Sequence, residues 1–167
     1  MSWFEHGESR IYYEQDGQGE PVLVLPGWGG GIGEFEPIRQ SLAPHFRVIA
    51  ADLPGSGKSE PQPREYSPTY FRDDADSFLA MLDDQAAAPA HLIGFSDGGE
   101  VALLMAAMRP DAVRSVGVGC GRAVGRATRD ARRVPSLDRR PDPAAARLCR
   151  VPQGHLRRGQ RTRDDAQ

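Results

Sequence analysis

The sequence predicts an α/β domain, a mostly parallel sheet with helices on both faces, and three observations carry that expectation. Short apolar runs alternate with helix-forming segments along residues 1–119, the alternation that builds such a layered fold. The run Val22-Leu-Val-Leu25 is continuously apolar, as a strand buried on both faces must be. A third apolar run, His91 to Phe95, passes straight into Gly-x-Ser-x-Gly centred on Ser96 and then into a helix-forming stretch.

Taken in order, Ser2 to Glu5 and Arg10 to Gln15 read as two strands joined around His6-Gly7, a hairpin with a short loop. The Gly, Glu and Pro residues at 17 to 21 turn the chain into the Val22–Leu25 strand. A Gly-rich loop, Gly27 to Gly33, leads to a helix around Phe35 to Leu42. Arg47-Val-Ile-Ala-Ala51 is the next strand, followed by a loop from Asp52 to Ser67. Tyr70 to Leu82 has the spacing of an amphipathic helix, with Phe71, Phe78, Leu79 and Leu82 as candidate core residues. After the strand at His91–Phe95, Gly98 to Met108 is rich in helix formers and stops before Pro110, where a helix should end. Val113 to Val118 is a last strand. Ligands of open parallel sheets bind beyond the carboxyl ends of the strands, where Gly27, Asp52 and Ser96 all fall.

The overall charge of −2 conceals an asymmetry: residues 1–119 hold 8 basic and 18 acidic side chains, residues 120–167 hold 13 arginines and 5 acids. Hydrophobic periodicity ends at the same place, and a run such as Arg-Arg-Val-Pro-Ser-Leu-Asp-Arg-Arg-Pro-Asp-Pro offers too little apolar surface to offset its ordering entropy. Residues 120–167 are therefore expected to be a disordered Arg/Pro/Ala-rich tail. The change is abrupt and falls within a strand signal, which points to a shifted reading frame or a truncated gene. An Arg-rich tail could bind nucleic acid, but no aromatic residue is interleaved for stacking, so no nucleic-acid partner is expected. No apolar run reaches the ~18 residues of a membrane span, and Met-Ser-Trp-Phe-Glu-His-Gly lacks signal-peptide character. Cys120 and Cys149 form neither a metal-type spacing nor a disulfide framework. The expectation is a soluble cytoplasmic protein with no metal and no cofactor; the sequence does not fix its oligomeric state.

A strand entering Gly-x-Ser-x-Gly and leaving as a helix is the arrangement in which a serine sits on a strained turn with its hydroxyl exposed. Gly94 and Gly98 lack the Cβ atoms that would collide there. With Pro-Gly-Trp-Gly-Gly at 26–30, Asp-Leu-Pro-Gly-Ser-Gly-Lys-Ser at 52–59 and Gly-Phe-Ser-Asp-Gly-Gly at 94–99, the order of motifs resembles the N-terminal half of the α/β-hydrolase fold. Within it, Ser-Asp-Gly-Gly at 96–99 and Tyr-Phe-Arg-Asp-Asp-Ala at 70–75 are most similar to the biphenyl hydrolase-like group, which includes valacyclovir hydrolase. The resemblance covers about residues 1–119, so the fold would be truncated after about the sixth strand.

The resemblance implies a serine hydrolase acting on a small-molecule ester or related acyl bond through an acyl-enzyme. It makes Ser96 the nucleophile, the backbone N–H of Asp97 one oxyanion donor, and that of Trp28 the second. Losing one such donor typically costs ~10²–10³ in kcat. Relatives often carry His-Gly where this chain has Pro26-Gly27, a change that spares the backbone role. Asp97 has two readings: its carboxylate pairs with a substrate ammonium, or it favours the first turn of the helix behind it. Close relatives also run perhydrolysis, dehalogenation and C–C cleavage; a serine at the elbow argues only against the aspartate-nucleophile dehalogenases.

Three segments mimic other chemistry. Gly55-Ser-Gly-Lys-Ser59 resembles the end of a phosphate-binding loop, but residue 52 is Asp where the first glycine belongs, and Pro61 and Pro63 interrupt a helix there. Gly27 to Gly33 holds no G-x-G-x-x-G in register, and His91 opens a strand without a catalytic role. The base and acid that a serine nucleophile needs follow Ser96 in the family's order, after at least two more units of ~30 residues each. Only 49 residues follow Val118. His155 is the only downstream histidine, with Asp130, Asp138 and Asp142 as acids in position only; His6 and His45 precede the nucleophile. The expectation is an incomplete, nearly inactive hydrolase. The rival is a non-catalytic binding or regulatory fragment that keeps the pocket floor.

Overall fold

The structure, a computed structural model, describes residues 2–120 and 123–124. The Arg-rich stretch beyond them, with His155, Asp130, Asp138 and Asp142, lies outside the described residues. Seven strands form one sheet in the order β1-β2-β4-β3-β5-β6-β7. They are β1 (Ser2–His6), β2 (Ser9–Asp16), β3 (Pro21–Leu25), β4 (Arg47–Ala51), β5 (Ala90–Phe95), β6 (Val113–Cys120) and β7 (Ala123–Val124). β1 and β2 make the expected hairpin, turning at Gly7 with φ 59°, and β2 joins β4 antiparallel. From β4 through β3 and β5 to β6 every pairing is parallel.

The side-chain period of two explains why the central strands are apolar without interruption. Leu23, Leu25, Ile49 and Ala51 face one side, packed with Phe78 and Leu82 of α2 (Tyr70–Asp84) and Val101 and Met105 of α3 (Asp97–Met108). Val22, Val24, Val48 and Ala50 face the other, against Ile32 and Phe35 of the turn before α1 (Glu36–Leu42) and Ile38 within it. Each fully buried side chain of this size contributes about 1.5–3 kcal/mol by leaving water, and the two layers fix the sheet from both faces. Of the four core residues expected on α2, Phe78, Leu79 and Leu82 are buried, while Phe71 is half-buried against the same cluster.

Most boundaries lie within one or two residues of the sequence expectation, and two of the differences change how an element begins or continues. The helix expected from Phe35 begins as a 3₁₀ turn, Ile32–Phe35, and becomes α-helical at Glu36, with Pro37 in the first turn where its missing N–H costs no bond. The expected last strand, Val113–Val118, runs to Cys120 and is followed by β7, paired antiparallel through Gly119 with Val124 and Cys120 with Ala123.

Candidate active site

Ser96 sits between the end of β5 and the start of α3, with φ 51° and ψ −116°. Such a conformation costs of order 1–3 kcal/mol in a non-glycine residue and persists only where its surroundings hold it. They do. The Ser96 N–H donates to the Gly119 carbonyl at 2.9 Å, and its own carbonyl accepts from Gly99 and Glu100 at 2.8 and 3.2 Å. Glycine is required on both sides. A Cβ on Gly94 would lie under 3.0 Å from Gly98 and Gly99 backbone, and one on Gly98 would meet the Leu25 and Pro26 carbonyls equally closely. Gly94 and Gly98 are buried, yet Ser96 between them is exposed.

The loop after β3 comes directly against this turn. A Cβ on Gly27 would stand 3.1 Å from Ser96 Cβ and 3.1 Å from Phe95 Cδ1. Trp28 is the next residue along. Among the described residues, the backbone N–H groups of Trp28 and Asp97 meet no acceptor; for Asp97 that is the ordinary condition of a first helical residue. The far end of the loop is held by Asp52, whose Oδ1 accepts the Ile32 N–H at 2.7 Å. Its Oδ2 accepts the Lys58 N–H at 2.8 Å, and Ser59 Oγ donates to its carbonyl at 3.1 Å. Residues 55–59 are thus a turn folded around a carboxylate, with the Lys58 amide turned to Asp52.

Asp97 is half-buried, and among the described residues its carboxylate accepts no hydrogen bond. Its charge is felt across the site. Burial, then the Asp97 carboxylate, push the Tyr70 phenol above its ordinary range. Burial raises the Asp74 carboxyl from 3.8 to about 6 against the opposing pull of Arg64, with Asp73 and Asp97 adding to the rise. Arg64 and Asp74 form an ion pair whose side chains are each 6% exposed. Their pair lines a cavity of about 330 Å³ together with Tyr70, Pro54, Glu8 and Ser9. Sequence reasoning missed Arg64, Tyr66 and Asp74. A signal existed for Asp74: it stands three residues after Phe71 and four before Phe78, a carboxylate on the apolar face of an amphipathic helix.

No histidine among the described residues hydrogen-bonds Ser96. His6 Nδ1 meets Ser77 Oγ at 3.1 Å, and His45 is exposed in the loop after α1. His91 stands 2.8 Å from Ser115 Oγ and 3.5 Å from Glu20, which mimics a triad at the other end of β5. Ser115 is 5% exposed and lies opposite His91 in the strand ladder, about 16 Å of strand from Ser96. This trio ties the sheet's amino end together. Among the described residues no cluster of three or more His, Cys, Asp or Glu side chains could hold a metal, and no helix is long and apolar enough to cross a membrane.

An exposed serine on a strained turn between a buried parallel strand and a helix, in a 2-4-3-5-6 sheet, places the chain in a definite class. The alpha/beta hydrolase fold family matches residues 20–132, and the chain belongs to that family. Over 106 residues the chain is 38% identical to a pimeloyl-[acyl-carrier protein] methyl ester esterase of Chromobacterium violaceum, covering 64% of this chain and 39% of the esterase. It is 34% identical over 110 residues to the serine hydrolase BPHL of Homo sapiens, covering 64% and 38%; the resemblance to the biphenyl hydrolase-like group holds. Est816, described as an N-acyl homoserine lactone degrading enzyme, shares the fold with a TM-score of 0.65 at 26% identity, covering 72% of this chain and 46% of Est816. The chain spans less than half the length of these proteins.

Proposed function

We propose that these residues are the nucleophile-bearing part of a serine hydrolase that cleaves an ester or related acyl bond of a small molecule in the cytoplasm. Residues 1–119 carry the site. Ser96 Oγ attacks the acyl carbonyl carbon, the carbonyl oxygen takes the negative charge, and the Trp28 and Asp97 N–H groups donate to it. Collapse of the tetrahedral adduct expels the alcohol and leaves an acyl group on Ser96, which water removes. The strain at Ser96 supports this most directly. A φ of 51°, held by backbone bonds on both sides with glycines in contact range, puts an exposed serine between β5 and α3. Asp97, half-buried in the first turn of α3, keeps both readings; the ammonium reading makes an α-amino ester the substrate.

Turnover needs a base to take the Ser96 proton, and loss of a triad base can cost on the order of 10⁶ in kcat. No histidine among the described residues bonds Ser96, and slow turnover of ordinary esters by the 167-residue chain is part of this proposal. The same observation favours the second reading, a binding fragment without chemistry. An activated aryl ester separates the two. Incubation with p-nitrophenyl acetate should leave an acetyl group on Ser96, detected by mass spectrometry, and release nitrophenol slowly. Release equal in wild type and Ser96→Ala, with no acetyl on Ser96, would leave only the binding reading.

A further inference from the structure

The turn that carries Trp28 runs from Gly27 to Gly30 and is closed by one bond, Gly30 N–H to the Gly27 carbonyl at 3.1 Å. Its tip, Trp28 and Gly29, stands clear of the core, and the Trp28 side chain is 70% exposed. An indole this exposed has little packing to hold it in place. A single side-chain bond does so: Nε1–H donates to the Tyr66 hydroxyl at 2.5 Å.

Tyr66 is anchored in turn, although it is 56% exposed. Its ring meets Tyr70 edge-on, with centroids 5.3 Å apart and planes at 80°. The Arg64 guanidinium lies 5.7 Å from the Tyr66 centroid and 5.1 Å from that of Tyr70. Arg64 is gripped by the Asp74 carboxylate and the Pro54 carbonyl. Tyr70 and Asp74 belong to the first two turns of α2, which is packed into the core. A continuous line of contacts therefore connects a core helix to the tip of an otherwise loosely held turn.

We propose that Tyr66 is a positioning residue: through its hydroxyl's bond to the Trp28 indole it fixes the turn from which the Trp28 backbone N–H donates to the oxyanion. The inference rests on the reading of Ser96 and Trp28 given above and extends it to a residue about forty positions along the chain that touches no reacting atom. Misplacing a catalytic group by about 1 Å can cost ~10²-fold, so release of this anchor is felt where a tetrahedral oxygen must be held. A surface hydrogen bond of purely structural value would change stability slightly and leave that discrimination alone.

The test uses the full chain and two readouts, one of which needs no chemistry. The chain has two tryptophans, so ¹⁵N-tryptophan labelling gives two indole N–H resonances, with Trp3 reporting that the fold is kept. Phenylboronic acid, which forms a tetrahedral adduct on a reactive serine, is the second probe. Tyr66→Phe should move the Trp28 indole resonance, spare that of Trp3, and weaken phenylboronic acid ten- to a hundredfold. Trp28→Phe should weaken it as much, and the double variant no more than either single one, since both cut the same link. An unmoved Trp28 resonance in Tyr66→Phe would show that the link does not exist. A moved resonance with unchanged boronate affinity would show that it positions nothing. Equal affinity in wild type and Ser96→Ala would overturn the hydrolase reading and the positioning role with it, while the resonance still reports whether the link itself is present.

Discussion

Gly98→Ala gives the most direct test of how the serine turn is held. The added methyl would stand 2.5 Å from the Leu25 carbonyl oxygen and 2.7 Å from its carbon, and closer still to the Pro26 oxygen. Ordinary contact begins near 3.4 Å, so β3 and α3 must part by about 1 Å. The obstructing atoms are buried backbone, with no rotamer to change, which puts the overpacking cost at the top of its usual range, about 3 kcal/mol. Alanine recovers up to about 1 kcal/mol of helix propensity in return. The net expectation is a loss of about 2 kcal/mol in urea unfolding. Because β3 leads into Pro26 and Gly27, the same shift should slow acetylation of Ser96 by p-nitrophenyl acetate ~10²-fold. Gly33→Ala is the control: its Cβ would meet nothing within 4 Å, so it should lie within about 0.5 kcal/mol of wild type. A Gly98→Ala protein as stable and as reactive as Gly33→Ala would refute the reasoning.

The Asp74 carboxyl, raised from 3.8 to about 6 by burial, binds its proton more tightly folded than unfolded. Its contribution to stability is therefore full below about pH 4 and is lost as the pH rises to about 6. At 1.36 kcal/mol per pH unit the swing is about 3 kcal/mol, read as the pH-dependent difference in unfolding free energy between wild type and Asp74→Asn; a flat difference would refute it. Ser59, fully buried, accepts the Tyr12 N–H at 2.9 Å, so Ser59→Ala should cost about 1–3 kcal/mol by leaving that amide unpaired, measurable by thermal melting. Asp97→Asn should slow acylation of Ser96 by an α-amino p-nitrophenyl ester roughly ten- to a hundredfold relative to its desamino counterpart, the worth of one charge-assisted bond. Equal losses on both esters would return Asp97 to a helix-capping role.

The elements that position the site were legible because each announces itself locally. β3 and β4 are apolar runs bracketed by turn residues, and their observed bounds, Pro21–Leu25 and Arg47–Ala51, lie within one residue of expectation. The turn at Ser96 was legible because glycine is the residue such close backbone approach demands, at both 94 and 98. What escaped the sequence joins distant segments. Arg64 finds Asp74 only after α2 docks, and Trp28 finds Tyr66 only once two loops meet on one face. The His91–Ser115 bond likewise depends on the register of β5 against β6, which no local pattern encodes. Asp52 read as the first residue of a loop beyond the carboxyl end of a strand; its two oxygens serve two different loops.

That divided carboxylate has a consequence for how the entrance to the site can change. Asp52 is 2% exposed, and it holds the far end of the Trp28 loop with one oxygen and the Lys58 turn with the other. The two loops thus share a root but not a tip. Exposed positions that carry neither an Asp52 bond nor the Trp28–Tyr66 bond, Gly33 and Glu34 among them, can be exchanged while the floor beneath keeps its geometry. A change at Asp52 would have the opposite character, slackening both loops at once. The border between what is adaptable and what is fixed in this molecule runs through one aspartate side chain.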